Sequence, residues 1–185
     1  MEKIRAFVSI DIKDPQLLDR IASIQEEIRH SGADVKHVER QNIHFTLKFL
    51  GNVSPSVIDP IFEVMQRVSF RPFELEVNDV GCFNPRRPRV IWLGAGEGAE
   101  EVVRIQTGLE KGLTELDFKP ERRRYTPHAT IGRVRSGRNR EQLLKTLERL
   151  ANAKVGVMKV DGICLKKSTL TPKGAIHEVL REARP

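Results

Sequence analysis

Apolar and polar residues alternate through the opening segment IRAFVSIDI. Ile4, Ala6, Val8 and Ile10 fall on one side, Arg5, Ser9 and Asp11 on the other. A two-residue period predicts a β-strand with one buried face. From Asp14 the period changes. Leu17, Leu18, Ile21, Ile24 and Ile28 recur at helical spacing, Asp14 is a good N-cap, Pro15 suits the first helical position, and Gly32 is a stop. QNIHFTLKFLG (41–51) predicts a second strand, with Ile43, Phe45, Leu47 and Phe49 on one face. SPSVIDPIFEVMQRV predicts a helix capped by Ser54, with Pro55 at its start and Pro60 limiting or bending its first turn. FELEVNDVGCF and PRVIWLGAG read as two strands joined by the basic, turn-rich NPRRP.

The order then recurs. Residues 97–118 predict a helix with Val102, Ile105, Leu109 and Leu113 on one stripe. YTPHATIGRV (125–134) predicts a strand, and GRNREQLLKTLERLAN (137–152) a helix. VGVMKVDGICL (155–165) and AIHEVLRE (175–182) predict strands joined by the turn-rich TLTPKG. Each half reads strand, helix, strand, helix, strand, with no linker between. The chain is therefore expected to form one domain over 1–185, an internal repeat of about 1–88 and 89–185 packed as two lobes.

Composition narrows the function classes. Of 185 residues, 39% are hydrophobic and 31% charged, enough for a core under a heavily solvated surface and too apolar in pattern for disorder. Apolar runs fall far short of the roughly 20 residues of a membrane span. Asp11 interrupts the N-terminus before any signal-like stretch, so a cytoplasmic protein with no membrane partner is expected. Cys82 and Cys164 allow at most one disulfide and form no zinc motif; reduced, buried thiols are expected. The net charge is +7 and the pI about 9.7. Between Glu121 and Arg140 stand seven arginines and one acid. Such an excess suits nucleic acid, nucleotides or an anionic surface, or else is plain solvated surface.

The sharpest signal is chemical. The middle strand of the first half holds His44-Phe45-Thr46-Leu47, and that of the second His128-Ala129-Thr130-Ile131. Five histidines and eight threonines in 185 residues give about 0.2 His-x-Thr matches by chance. Strand alternation points His44 and Thr46 one way, with Phe45 and Leu47 toward a core; His128 and Thr130 point together, opposite Ala129 and Ile131. If the lobes are related by an approximate two-fold, the two pairs face each other across a cleft. In-line displacement at phosphorus needs a base for the attacking oxygen and an acid for the leaving oxygen on opposite sides, and imidazole serves either near neutral pH. Each threonine hydroxyl can donate to a non-bridging phosphate oxygen. For a lone His beside a strand Thr the alternative is a cross-strand polar pair. Two histidines without carboxylates nearby in sequence are poor metal ligands. His30, His37 and His177 carry no motif and are assigned no chemistry.

RAFVSIDI, NIHFTLKFLG, FNPRRPRVIWLG and YTPHATIGRVR together resemble the two-histidine (2H) phosphoesterase superfamily. Within it, the chain is similar over essentially its whole length to the bacterial and archaeal RNA 2′,3′-cyclic phosphodiesterases, historically called 2′-5′ RNA ligases. The resemblance implies a bilobal α+β fold, two antiparallel-rich sheets with outer helices around a central cleft. It implies His44 as proton donor to the leaving ribose oxygen and His128 as the acceptor that activates water, roles that sequence symmetry alone does not distinguish. The cyclic phosphate would open to a 2′-phosphate, and the reverse reaction would form a 2′-5′ linkage. Thr46, Thr130 and Arg133 would bind phosphate; no cofactor, metal or covalent intermediate is implied. The expected partner is RNA with 2′,3′-cyclic phosphate ends, or nucleotides, and a monomer is expected. Arg133 is five residues after His128 and by strict alternation faces away, so its role requires the strand to end or bulge near Gly132; otherwise it is a surface arginine. Arg86, Arg87, Arg89 and Arg122 to Arg124 are available to steer an RNA backbone. Phe83 is available to stack on a base, with burial in the core as the alternative. The rival readings are a non-catalytic RNA- or nucleotide-binding module, a phosphodiesterase for small cyclic-phosphate nucleotides, and a metallohydrolase.

Overall fold

β1 (Ile4–Asp11) is hydrogen-bonded on both sides, to β3 (His44–Val53) and β8 (Ile163–Thr171). It stands near the middle of the first lobe. The computed structural model describes residues 2–185. The remaining strands are β2 (Val35–His37), β4 (Phe73–Cys82), β5 (Val90–Ala95), β6 (His128–Val134), β7 (Lys154–Val160) and β9 (Gly174–Ala183). The helices are α1 (Pro15–His30), α2 (Ile58–Arg67), α3 (Ala99–Thr114) and α4 (Arg140–Leu150). All pairings are antiparallel. The strand order is β7-β4-β5-β6-β3-β1-β8-β9, with β2 added beside β6.

That order is symmetric about its midpoint. β6 corresponds to β3, β5 to β1, β4 to β8 and β7 to β9. The two four-stranded lobes meet through a single bridging pair, Phe45 on β3 and Ala129 on β6. Both residues are fully buried, so the lobes are joined by core at the place where the two motifs lie. The lobes exchange elements: β4, from the first half of the chain, sits in the lobe of β5 and β6, while β8 pairs with β1 and β9 lies beyond β8 in the lobe of β1 and β3. Helix α1 packs on β7 and β6 and against α4, whereas α2 and α3 pack on each other and on β9 and β3. The helices cover the face that carries Phe45 and Ala129. The opposite face is left for the cleft.

The helix signals are realised in chemical detail. The Asp14 carboxylate accepts from the Leu17 amide at 2.9 Å, with Pro15 opening α1. Ser54 caps a short 3₁₀ turn, Pro55–Val57, that leads into α2. Several expected boundaries move. VGVMKVDGICL is two strands: Asp161 and Gly162 break it, so that β7 pairs with β4 and β8 crosses to β1. Thr169–Thr171 belong to β8, leaving Pro172 and Lys173 as the tight turn before Gly174. The expected helix 97–118 is shorter at both ends, and β2 is an addition, too short to show a period in the sequence. No helix among the described residues is long and apolar enough to cross a membrane.

Candidate active site

His44 and Thr46 stand on β3, and His128 and Thr130 on β6, as immediate neighbours of the bridging pair. Because Phe45 and Ala129 face the core, all four motif side chains face the other way. They line one cleft of about 1050 Å³.

Each motif strand also carries a one-residue bulge just after its threonine. Ser9 pairs with Thr46 but Val8 with Lys48, skipping Leu47. Trp92 pairs with Thr130 but Ile91 with Gly132, skipping Ile131. A bulge shifts the alternation by one residue. Arg133, which strict alternation turns away, therefore lines the cleft beside Val90. The same shift corrects the expected face of Phe49. It leaves the core side and lines the cleft at 66% exposure, while Lys48 turns inward and is buried. Lys48 Nζ is satisfied there by the Lys119 carbonyl and the Glu110 carboxylate, each at 2.8 Å.

The two histidines are oriented alike. His44 Nδ1 lies 2.6 Å from the Asn42 carbonyl oxygen, and His128 Nδ1 lies 2.9 Å from that of Thr126. A carbonyl only accepts, so each Nδ1 carries the proton and each neutral ring keeps its lone pair on Nε2. His44 Nε2 is 2.9 Å from Thr46 Oγ1. Tyr125, just before the second motif, donates its hydroxyl to the Thr46 carbonyl at 2.8 Å and ties the two motifs together.

Their surroundings differ. His44 is wedged against the Phe7 ring (centroids 5.0 Å apart) and the His177 ring (5.5 Å, edge-on). Nearby, Lys166 Nζ grips both oxygens of Asp11 at 3.0 and 3.1 Å, both residues well buried. Burial lowers the His44 pKa from 6.5 to about 4. The Asn42 carbonyl opposes the shift and the Lys166 charge adds to it. His128 meets Phe83 edge-on at 5.1 Å.

The cleft gathers four of the five histidines, His37, His44, His128 and His177. His37 and His177 lie outside the motifs, and burial lowers the pKa of both. No sequence signal marks His177, because it reaches the site only through the order β1-β8-β9. Phe7 was detectable as an apolar residue on the polar face of its strand. Arg123, Arg124 and the half-exposed Phe83 line the cleft, whereas Arg86, Arg87, Arg89 and Arg122 stand outside it. Among the described residues, Arg5, Lys36, Arg123, Arg124 and Arg133 line it with no acidic partner within 4 Å, leaving a positive wall.

A pseudo-symmetric sheet with a His-Thr pair from each half facing one basic cleft defines a two-histidine architecture, and the comparisons give its lineage. The family model described as the 2′-5′ RNA ligase superfamily matches residues 14–170, and the chain belongs to that superfamily. It is 40% identical over 178 residues to the RNA 2′,3′-cyclic phosphodiesterase of Methanothermobacter thermautotrophicus, covering 95% of each chain. It is 38% identical over 169 residues to that of Aeropyrum pernix, covering 91% of this chain and 96% of the relative. Among solved structures, TT0787 of Thermus thermophilus shares the fold with a TM-score of 0.83 at 24% identity, covering 98% of this chain and 97% of that one.

Proposed function

We propose that this chain hydrolyses 2′,3′-cyclic phosphate ends of RNA to 2′-phosphates by paired histidine acid–base catalysis, and that the same groups can join ends through a 2′-5′ linkage in reverse. The observation that carries this reading is the matched pair of imidazoles. Each has its Nδ1 proton held by the carbonyl two residues earlier, and each offers Nε2 to one cleft.

In the forward direction, His128 Nε2 takes a proton from a water whose oxygen attacks phosphorus. The bond from phosphorus to the ribose 3′-oxygen breaks, and His44 Nε2–H protonates that oxygen. The Thr46 and Thr130 hydroxyls donate to non-bridging oxygens, and the Arg133 guanidinium offsets the charge gathering there. Burial keeps His44 neutral at pH 7. An anionic phosphodiester beside it favours the imidazolium, so in this mechanism the substrate helps to charge its own acid. The unpartnered cations extend past the motifs and favour a polyanion over a single small nucleotide. The correspondence of β1 with β5, β3 with β6 and β4 with β8, and the matched bulges, support reading residues 1–88 and 89–185 as two copies of one unit, with β7 and β9, both from the second half, added at the ends of the sheet.

The test is kcat/KM on an RNA ending in a 2′,3′-cyclic phosphate, in EDTA, with circular dichroism as the folding control. His44→Ala and His128→Ala should each lose about 10²- to 10⁴-fold. The double variant should be little worse than either, because acid and base serve one displacement. A folded single variant with near-wild-type turnover overturns the paired mechanism. A folded wild type that binds the RNA without turnover would leave the non-catalytic module as the reading.

A further inference from the structure

The bulge after Thr46 turns Lys48 inward, and its side chain is left only 3% exposed. A buried ion pair commonly adds no stability over apolar side chains of the same volume, so its retention here points to a second use. The partners of Lys48 Nζ lie on α3 and on the segment that follows it. They are the Glu110 carboxylate and the Lys119 carbonyl, each at 2.8 Å, and the Glu121 carboxylate at 3.7 Å. The second oxygen of Glu110 accepts from the Glu121 amide at 3.2 Å. Residues 115–127 join α3 to β6 and carry Arg122, Arg123 and Arg124. Among the described residues, no hydrogen bond between main-chain groups holds 119–127. Side chains fasten this segment instead, and they fasten it to the first-motif strand on either side of its arginines. Lys48 holds the Lys119 carbonyl, and Tyr125 donates to the Thr46 carbonyl at 2.8 Å. Between these fastenings Arg123 and Arg124 line the cleft, with no acidic partner within 4 Å among the described residues. The other unpaired cations of the cleft, Arg5, Lys36 and Arg133, stand on strands and keep their places through the sheet. Arg123 and Arg124 have no such support.

We propose that Lys48 is a positioning residue for RNA binding: by fastening 119–121 to β3 it holds Arg123 and Arg124 where they meet the phosphates of the RNA chain beyond the reacting nucleotide. This rests on the function proposed above, in which the two motifs and Arg133 already serve the reacting phosphate. A mononucleotide then has no phosphate left for Arg123 and Arg124, whereas an RNA has. Lys48, its ammonium committed to protein partners, takes no part in the chemistry. It sets the preference for a chain over a mononucleotide and leaves turnover to the histidines.

Calorimetric binding over a series of salt concentrations tests this without turnover. The probes are a short RNA ending in a 2′-phosphate and adenosine 2′-monophosphate. Lys48→Met should reduce the slope of log affinity against log salt for the RNA by about 0.7–1.4, the share of one or two phosphate contacts on a single strand. At about 0.1 M salt that is a loss of about 5- to 25-fold, taking the contacts as screened out near 1 M. Adenosine 2′-monophosphate should stay within about twofold. Arg123→Gln and Arg124→Gln in one chain should lower the RNA slope at least as far. Lys48→Met with Glu110→Gln should regain part of the stability but none of the RNA affinity, because Lys119 and Glu121 stay unfastened. An unchanged RNA slope in a folded Lys48→Met variant overturns the proposal. So does equal weakening of both probes, or RNA affinity that returns with stability in the double variant. Failure of the wild type to hydrolyse a cyclic-phosphate RNA would instead overturn the function, and the role of Lys48 would still stand or fall on the slopes.

Discussion

His44 should make the protein acid-labile in a measurable way. In the unfolded chain its imidazole titrates near the ordinary 6.5, and in the folded cleft at about 4. Between these values the unfolded state binds a proton that the native state does not. Stability is therefore fully present above about pH 6.5 and is lost as pH falls toward 4. The gap corresponds to about 3 kcal/mol at 1.36 kcal/mol per pH unit, a large share of the roughly 5–15 kcal/mol that holds a domain of this kind folded. His44→Gln removes the titrating group while keeping a polar side chain of similar reach. Urea unfolding of both proteins at pH 7 and pH 4 should show the wild type losing about 3 kcal/mol more than the variant. His37 and His177 are also shifted down by burial, but both proteins contain them and their contribution largely cancels. Equal losses in the two proteins would mean that His44 is as well solvated when folded as when unfolded, and the electrostatic account of the site would fail. Saturating adenosine 2′-monophosphate should shrink the difference, since an adjacent phosphate favours the imidazolium.

Two further outcomes follow from buried groups around the cleft. Lys48→Met should destabilise by about 3 kcal/mol in urea melts, because it leaves the Glu110 carboxylate without its buried ammonium partner, and Glu110→Gln in the same chain should return part of the loss; a change under about 0.5 kcal/mol would rank the pair with ordinary surface bridges. His177→Phe should keep or raise stability, since His177 Nδ1 is buried without a partner and an unsatisfied polar atom costs about 1–3 kcal/mol. Followed by imidazole proton resonances, the same variant should raise the His44 midpoint, because a charged His177 opposes a charged His44; a fall would refute that coupling.

Much of the site was legible in the chain because it rests on the local period of strands. His44 with Thr46, and His128 with Thr130, share a face by alternation alone, and the recurrence of the motif on matching strands pointed to one cleft. What was not legible depends on pairing register. Nothing in LKFLG or IGRV announces that a residue is skipped after each threonine, so alternation places Phe49 in the core and turns Arg133 away from the cleft. The bulges show only in the register of β3 against β1 and of β6 against β5. The run VGVMKVDGICL reads as one strand for a similar reason. Its apolar content suits both pieces, and only the partners, β4 for one and β1 for the other, separate them. His177 belongs to the same class: its strand is local, but its neighbour His44 is far away in the chain and is brought to it by sheet order.

The two lobes also show how a symmetric backbone can carry two imidazoles in unlike surroundings. Main-chain carbonyls fix both imidazoles in the same tautomer, at matching places on matching strands. Everything that distinguishes them comes from side chains. His44 has a phenylalanine at its face, a second histidine at its edge and a buried lysine–aspartate pair close by, while His128 meets the half-exposed Phe83. Burial lowers the proton affinity of His44. In the mechanism proposed above, the anion that offsets the penalty at His44 is the phosphodiester itself, so the charged acid would be favoured when substrate is present. In the proposed displacement, the pseudo-symmetric backbone would supply the opposed placement of the two imidazoles, and the unlike side chains around them its direction.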